Sequence, residues 1–238
     1  MSGPLHLYDL AGADEACRFS PNCWRTRLAL AHKGLAVETI PWRFTDKEAI
    51  AFSGQGKVPV VRDRETTVFD SWAIAEYLEK TYPERPSLFG GESGHALCRF
   101  VNQWVSEILH PLIARLVLPD LFLILHEKDR AYFRKTREAA FGTTIEALAD
   151  ERERNLALFR RTVQPLRSTL AAQAYVAGTA PAYADHIAFG ALQWARVTSP
   201  LALLAADDPI AAWFGRMLDA YGGLGRGMPA ATGGQIVP

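Results

Sequence analysis

The residues Leu5-His6-Leu7-Tyr8-Asp9-Leu10 lead, through a short polar loop, into Ser20-Pro21-Asn22-Cys23-Trp24-Arg25-Thr26-Arg27-Leu28-Ala29-Leu30-Ala31-His32-Lys33-Gly34. The first six, with Leu5, Leu7 and Asp9 alternating with His6, Tyr8 and Leu10, read as a buried strand. The second stretch reads as a helix. Trp24, Leu28 and Ala31 recur at helical spacing with Leu30 beside them, and Gly34 suits the C-terminal cap.

Working outward, Val37, Thr39 and Ile40 read as a second strand, and Asp46 to Phe52 as a short helix broken by Gly54 and Gly56. Val58-Pro59-Val60-Val61 reads as a third strand and Thr66-Thr67-Val68-Phe69 as a fourth, with a polar turn at Arg62 to Glu65 between them. A helix begins near Ser71, with Trp72, Ile74, Ala75 and Leu78 on its apolar side. The order is β-α-β, a connection, then β-β-α. A right-handed crossover followed by a hairpin and a covering helix builds one mixed four-stranded sheet. That is the thioredoxin arrangement.

The grammar changes at Tyr82-Pro83-Glu84-Arg85-Pro86, where two prolines stop the helix. Beyond Gly94 the periodicity is helical throughout. Leu97, Phe100, Val101, Trp104 and Ile108 form one apolar stripe, and Leu148, Leu156, Phe159, Val163, Leu166 and Leu170 another. Pro165 bends that second helix or marks a boundary in it. In the last helix Asp207 or Asp208 is the cap, Pro209 suits the first turn and Gly222 the stop, with Ile210, Trp213, Phe214, Met217, Leu218 and Tyr221 on one side. The expected fold is an α/β thioredoxin-like N-terminal domain over residues 1–82, a linker over 83–93, an all-α C-terminal domain over 94–225 and a loose tail over 226–238.

Bulk properties bound the function. The chain has 238 residues, 49% apolar and 22% charged, with 26 Lys and Arg against 26 Asp and Glu. A balanced charge leaves no electrostatic footprint for nucleic acid or an anionic membrane surface. Cys17, Cys23 and Cys98 are too few for a disulfide framework and suit a reducing compartment. No basic, then apolar, leader is visible, and the apolar run Leu116 to Leu125 is too short to span a bilayer. A soluble, cytoplasmic protein is expected.

Three local signals carry chemistry. Ser20-Pro21-Asn22-Cys23 falls between the first strand and first helix, where redox members of this fold hold Cys-Pro-x-Cys and the helix N-terminus lowers the first thiol's pKa. A hydroxyl cannot form a disulfide, but it can donate a hydrogen bond to a thiolate that a ligand brings; the plain alternative is that Ser20 only caps the helix. Lys57-Val58-Pro59-Val60 places a proline at a strand start, where in this fold the preceding peptide is cis and the backbone of Val58 is left free for an extended peptide. The alternative is an ordinary strand-start proline. Asp70-Ser71 opens a helix, as a cap or as a clamp for the carboxylate and ammonium of an α-amino acid. All three lie at strand ends that converge on one sheet edge, and together they fit γ-glutamyl-cysteinyl-glycine.

On these residues the chain resembles the glutathione transferase family over nearly its whole length. The stretches are Ser20 to Arg25, Lys57-Val58-Pro59-Val60-Val61, Asp70 to Leu78 and, in the helical domain, Tyr183-Ala184-Asp185-His186-Ile187-Ala188. Ser20-Pro21 with Trp24 to Arg27 and Ala29 to Gly34 is similar to the bacterial β-aryl etherases of lignin breakdown and to related fungal transferases. Asp70-Ser71-Trp72, Tyr82 to Pro86 and Tyr221 to Arg226 point the same way. The resemblance implies that glutathione is the co-substrate and that Ser20 stabilises its thiolate. Val58 would pair its backbone with the cysteinyl unit, Pro59 being cis, while Asp70 and Ser71 hold the γ-glutamyl group and Lys57 lies near the glycyl carboxylate. It further implies a hydrophobic electrophile, possible cleavage of aryl ethers, a pocket lined by Trp104 and residues near Leu109, and a homodimer pairing the sheet domain of one chain with the helical domain of the next.

One position departs from the family pattern: Ala182 stands where Ser or Thr usually caps the buried helix, a loss of about 1 kcal/mol. Two other functions stay open, a non-catalytic binder of glutathione or hydrophobic ligands and a thiol-disulfide reductase working through Cys17 or Cys23. Both cysteines otherwise read as packing residues, and His32, His110 and His186 as core or surface histidines. His95 and Cys98 have metal-ligand spacing but no second pair, so no metal is expected. The charge runs Glu127 to Arg130 and Asp150 to Arg154 read as solvated faces.

Overall fold

The computed structural model describes residues 4–231. Strands β1 (Leu5–Leu10), β2 (Val37–Trp42), β3 (Val60–Asp63) and β4 (Thr66–Phe69) form one sheet in the order β2-β1-β3-β4. The β1–β2 pair is parallel and the β1–β3 and β3–β4 pairs are antiparallel. Helix α1 (Pro21–His32) makes the crossover and α2 (Ser71–Thr81) follows the hairpin. This is the expected thioredoxin-like arrangement. Pro41 lies in β2, an edge strand, where a missing N–H is tolerated.

The third strand begins later than its apolar run. Val58 and Pro59 lie outside β3, joined by a cis peptide bond. At the other end, Arg62 and Asp63 extend the strand, so that Arg64 and Glu65 alone make the turn; Arg64 takes the left-handed conformation there, with φ 56°.

The second half is helical: α3 (Glu92–Trp104), α4 (His110–Ile124), α5 (Glu127–Phe141), α6 (Ile145–Asp150), α7 (Arg152–Thr162), α8 (Gln164–Ala172), α9 (Tyr183–Thr198) and α10 (Pro209–Gly223). A π-helical turn, Val105–Leu109, joins α3 to α4. Pro111 supplies its cause: with no N–H it cannot bond the carbonyl four residues back, and its ring crowds that carbonyl. Pro165 marks a boundary, sitting in the first turn of α8. Asp208 is the cap of α10, accepting from Ile210 N at 2.9 Å.

The core spans both halves. Helix α9 is buried along almost all its length and packs most extensively on α1. Gly190 permits that approach, since a Cβ there would come within 2.5 Å of the Pro21 carbonyl oxygen. Trp24 meets Phe189 edge-on, and Tyr183 Oη donates to the Ser71 carbonyl at 2.6 Å. At Ala182 no side chain caps α9, but Asp185 reaches back and accepts from the N–H groups of Ala182, Val176 and Ala177 and from Trp213 Nε1.

Three sequence expectations need correction. The stripe of α3 is only partly buried: Val101 and Trp104 pack on the core, but Leu97 is 68% exposed and Phe100 71%. Asp129 is not on a solvated face. It is fully buried and accepts from Phe44 N, Thr45 N and Thr45 Oγ1 at 3.1, 3.0 and 2.7 Å, fastening α5 to the loop after β2. Within the second charge run, Arg152 pairs with Asp120 at 2.6 Å. Of the segment read as a loose tail, residues 226–231 are tied back, with Arg226 N donating to Leu218 O, Arg196 Nη1 to Met228 O and Ala231 N to Arg196 O. Residues 232–238 lie outside the described residues.

Candidate active site

The antiparallel pairings bring the end of β1, the start of β3 and the end of β4 to one edge of the sheet. Helix α1 begins there too, and a cavity of about 460 Å³ opens beside it. Ser20, Asn22, Lys57 and Val58 line its sheet side, and α4 and α5 form the opposite wall.

Ser20 has extended backbone geometry and its Oγ accepts from Cys23 N at 3.3 Å, so the capping role is real. It does not exhaust the side chain. A serine hydroxyl has two acceptor lone pairs and one donor hydrogen, and the cap uses only a lone pair. The hydrogen is not used by the cap and can be donated to a ligand or to the Cys23 sulfur beside it, with Pro21 in the first helical turn and the helix dipole adding positive potential.

Val58 has no backbone hydrogen bond at either its N–H or its carbonyl among the described residues. Val58 lines the cavity, in a bend just before the cis bond to Pro59. Lys57 is exposed on the cavity rim, its own N–H bonded to Gln55 Oε1 at 2.7 Å.

Asp70 and Ser71 do not line the cavity, but they stand at the same sheet end. Val60 pairs with Phe69, which puts Asp70 across from Pro59. Asp70 takes φ 70°, and its Oδ1 accepts from Trp72 N and Ala73 N at 2.9 and 3.1 Å. The backbone carbonyl of Ser71 accepts from the Tyr183 hydroxyl, which also lies close to the Ser71 side chain. The pair is thus a helix cap in which only one Asp70 carboxylate oxygen is used.

The cysteines are poor nucleophiles. Burial pushes the Cys23 thiol well up, with the nearby Asp9 carboxylate adding to it, and burial also raises Cys17. A thiolate-based exchange at either residue is disfavoured.

The far wall holds residues that the sequence reading left out. Phe133, Arg137, Ala140 and Phe141 come from α5, and Ser106, His110, Pro111, Ala114, Leu118 and Leu121 from the π turn and α4. Trp104, expected here, is not among the lining residues, whereas those next to Leu109 are. His110, read as a core or surface histidine, faces the cavity. Burial, with the Arg25 cation as a second cause, pushes its imidazole down to about 3, so it is neutral. The signal for this wall was present as Phe133-x-x-x-Arg137-x-x-x-Phe141, one cation in an apolar stripe at helical spacing.

His32 and His186 lie at the seam between the halves, where both contact Tyr221 Oη, at 2.9 and 2.8 Å. His32 Nε2 meets the Ser87 carbonyl at 3.0 Å and must donate to it. Its Nδ1 is then an acceptor, so Tyr221 donates there and accepts from His186 Nε2–H. These are structural histidines.

The family profile described as the glutathione S-transferase N-terminal domain matches residues 19–81, and that of the C-terminal domain matches residues 96–217. Glutathione S-transferase 4 of Zea mays is 26% identical over 200 residues, covering 82% of each chain. Among solved structures, a glutathione transferase of Phanerochaete chrysosporium superposes with a TM-score of 0.82 at 26% identity, covering 93% of this chain and 98% of its own. A glutathione S-transferase of Ceriporiopsis subvermispora, crystallised in complex with glutathione, gives 0.71 at 28% identity, covering 81% and 85%.

Proposed function

This chain belongs to the glutathione S-transferase family, and on that footing we propose that it binds glutathione along the Ser20–Val58 side of the cavity and transfers its sulfur to a hydrophobic electrophile. The observation that carries the reading is the state of Ser20. Its lone pair caps α1 without using its hydrogen, at a helix N-terminus and in the same cavity as the open backbone of Val58. A hydroxyl so placed donates to a thiolate and favours it over the thiol. Asp70 and Ser71 then take the γ-glutamyl head group and Lys57 the glycyl carboxylate. Ser20 is not the nucleophile. The glutathione sulfur forms the new bond to carbon, and the leaving group departs with its electron pair. For an aryl ether, the substrate suggested by the β-etherase resemblance, that group is a phenolate, which then takes up a proton.

Ser20→Ala tests this directly. The variant should lose about 10–100-fold in kcat, the scale of one hydrogen bond to a charged group. Its Kd for glutathione should change less than about threefold, and the ultraviolet absorbance of bound thiolate should disappear near neutral pH. Full activity in Ser20→Ala would overturn the assignment.

The exposed Leu97 and Phe100 on α3, with Phe52 and Phe69 exposed on the sheet domain, support pairing of two copies. Sedimentation of the purified chain at the mass of a dimer is the expected result.

No described helix is long and apolar enough to cross a membrane.

A further inference from the structure

The charges in the cavity lining are one-sided. Lys47, Lys57 and Arg137 line it, and no aspartate or glutamate does, although the chain as a whole is balanced. Such a cavity concentrates anions. Two of the three cations lie on the sheet domain, where glutathione's own carboxylates would go. Lys47 is also partly engaged, donating to the Gly56 carbonyl at 2.6 Å and lying over the rings of Trp42 and Tyr132.

Arg137 differs. It comes from the opposite wall, on α5. Its only hydrogen bond among the described residues is from Nη1 to Thr136 Oγ1 at 3.2 Å, and no carboxylate lies within ion-pair reach. The acids of α5 near it in sequence are committed elsewhere: Glu138 pairs with Arg134 at 2.8 Å, and Asp129 has its two oxygens in three hydrogen bonds. The guanidinium lies over Phe44 and Phe133, 5.5 and 5.0 Å from the ring centroids, which fixes its plane without using its donors. A partly buried cation with free donors, held by aromatic faces beside an apolar cavity, is a carboxylate anchor waiting for its carboxylate.

Resting on the transferase reading above, we infer that the acceptor is an aromatic electrophile bearing an acidic group, held by Arg137 while its ring packs on Phe44, Tyr132 and Phe141. The anion takes no part in the chemistry; it orients the ring so that the electrophilic carbon faces the sulfur at Ser20.

The test uses one electrophile in two charge states, 4-chloro-3,5-dinitrobenzoate and its methyl ester. In both, sulfur bonds to the carbon bearing chlorine, chloride leaves with the bonding pair, and the thiol proton passes to solvent. After correction for uncatalysed rates, kcat/KM should favour the anion by about tenfold. Arg137→Gln should abolish that preference, losing about tenfold on the anion and less than twofold on the ester, with KM for glutathione unchanged. Equal losses on both acceptors, or none on the anion, would overturn the inference. So would a rise in the KM for glutathione with acceptor preference intact, which would give Arg137 to a glutathione carboxylate. Should the glutamine variant not fold, Arg137→Lys makes the same comparison with a smaller selective loss. If neither acceptor turns over, the transferase reading fails by itself. Calorimetric binding of the two preformed glutathione conjugates then decides: tighter binding of the carboxylate conjugate by the wild type than by Arg137→Gln sustains the anchor, and equal binding removes it.

Discussion

The two sides of the cavity are built in different ways. The sheet side presents backbone and cap groups: the Ser20 hydroxyl at the start of α1, the open peptide at Val58, and the Asp70–Ser71 cap. Their positions follow from chain direction at a strand end, so a few local residues define them. The helical side presents side chains from α4 and α5, and its shape depends on how those helices dock. The first is suited to a ligand that never changes, the second to one that does.

Substitutions that unsettle one side alone break this comparison or sharpen it. The largest effect is expected at Asp129. Asp129→Ala leaves three donors without their acceptor and should cost about 3 kcal/mol of stability, measured by denaturant unfolding. Because Asp129 fastens α5, the KM for the acceptor should rise while the Kd for glutathione stays within about twofold. A parallel loss of glutathione affinity would show that the two sides are not separable.

Gly190→Ala is the converse case. The added carbon meets the Pro21 carbonyl and pushes on the start of α1, for a cost of about 2 kcal/mol. Here the damage should fall on the thiolate, with kcat reduced about tenfold and acceptor KM little changed.

The smallest effect divides the histidines between the two sides. Burial holds His110 in the wall and His32 and His186 at the seam below their ordinary value of about 6.5. As pH falls below about 6.5, the unfolded chain binds protons that the folded chain refuses, so stability declines with pH. Each histidine contributes at most about 1.4 kcal/mol per pH unit, and His32, nearer to solvent, the least. For His110 the decline ends only near its folded value of about 3. Asp9 and Asp185, raised by burial, act in the opposite sense nearer the carboxylate range of about 4. Unfolding curves at about pH 7.5 and 5.5 should show the decline. His110→Gln and His186→Gln should each remove one share of it.

The same contrast explains what the sequence made legible. Strand order, α1 and its cap, the cis proline and the start of α2 are local events with local residue signatures, and the corresponding stretches were read nearly in place. The strand after Val58 was read two residues early, because its apolar run starts at Val58-Pro59, ahead of the first ladder residue, Val60. The far wall was not legible, since Arg137 and His110 meet the cavity only after α4 and α5 have docked. Asp129 was hidden in a charge run, Glu127 to Arg130, where one residue of four turns inward. The stripe on α3 was legible as apolar, but not the exposure of Leu97 and Phe100 on it, because periodicity fixes a face and not what the face meets.

The π turn at Val105–Leu109 has a bearing on how acceptor preference diverges. It carries one residue more than an α-helical path would hold, and it stands between the partly exposed stripe of α3 and the cavity-facing row His110, Ala114, Leu118 and Leu121. Each residue of an α-helix advances the face by about 100°. Deleting a single residue there would swing the whole downstream row away from the ligand without altering any of its side chains. The length of that turn thus sets which side chains the pocket presents as firmly as their identities do.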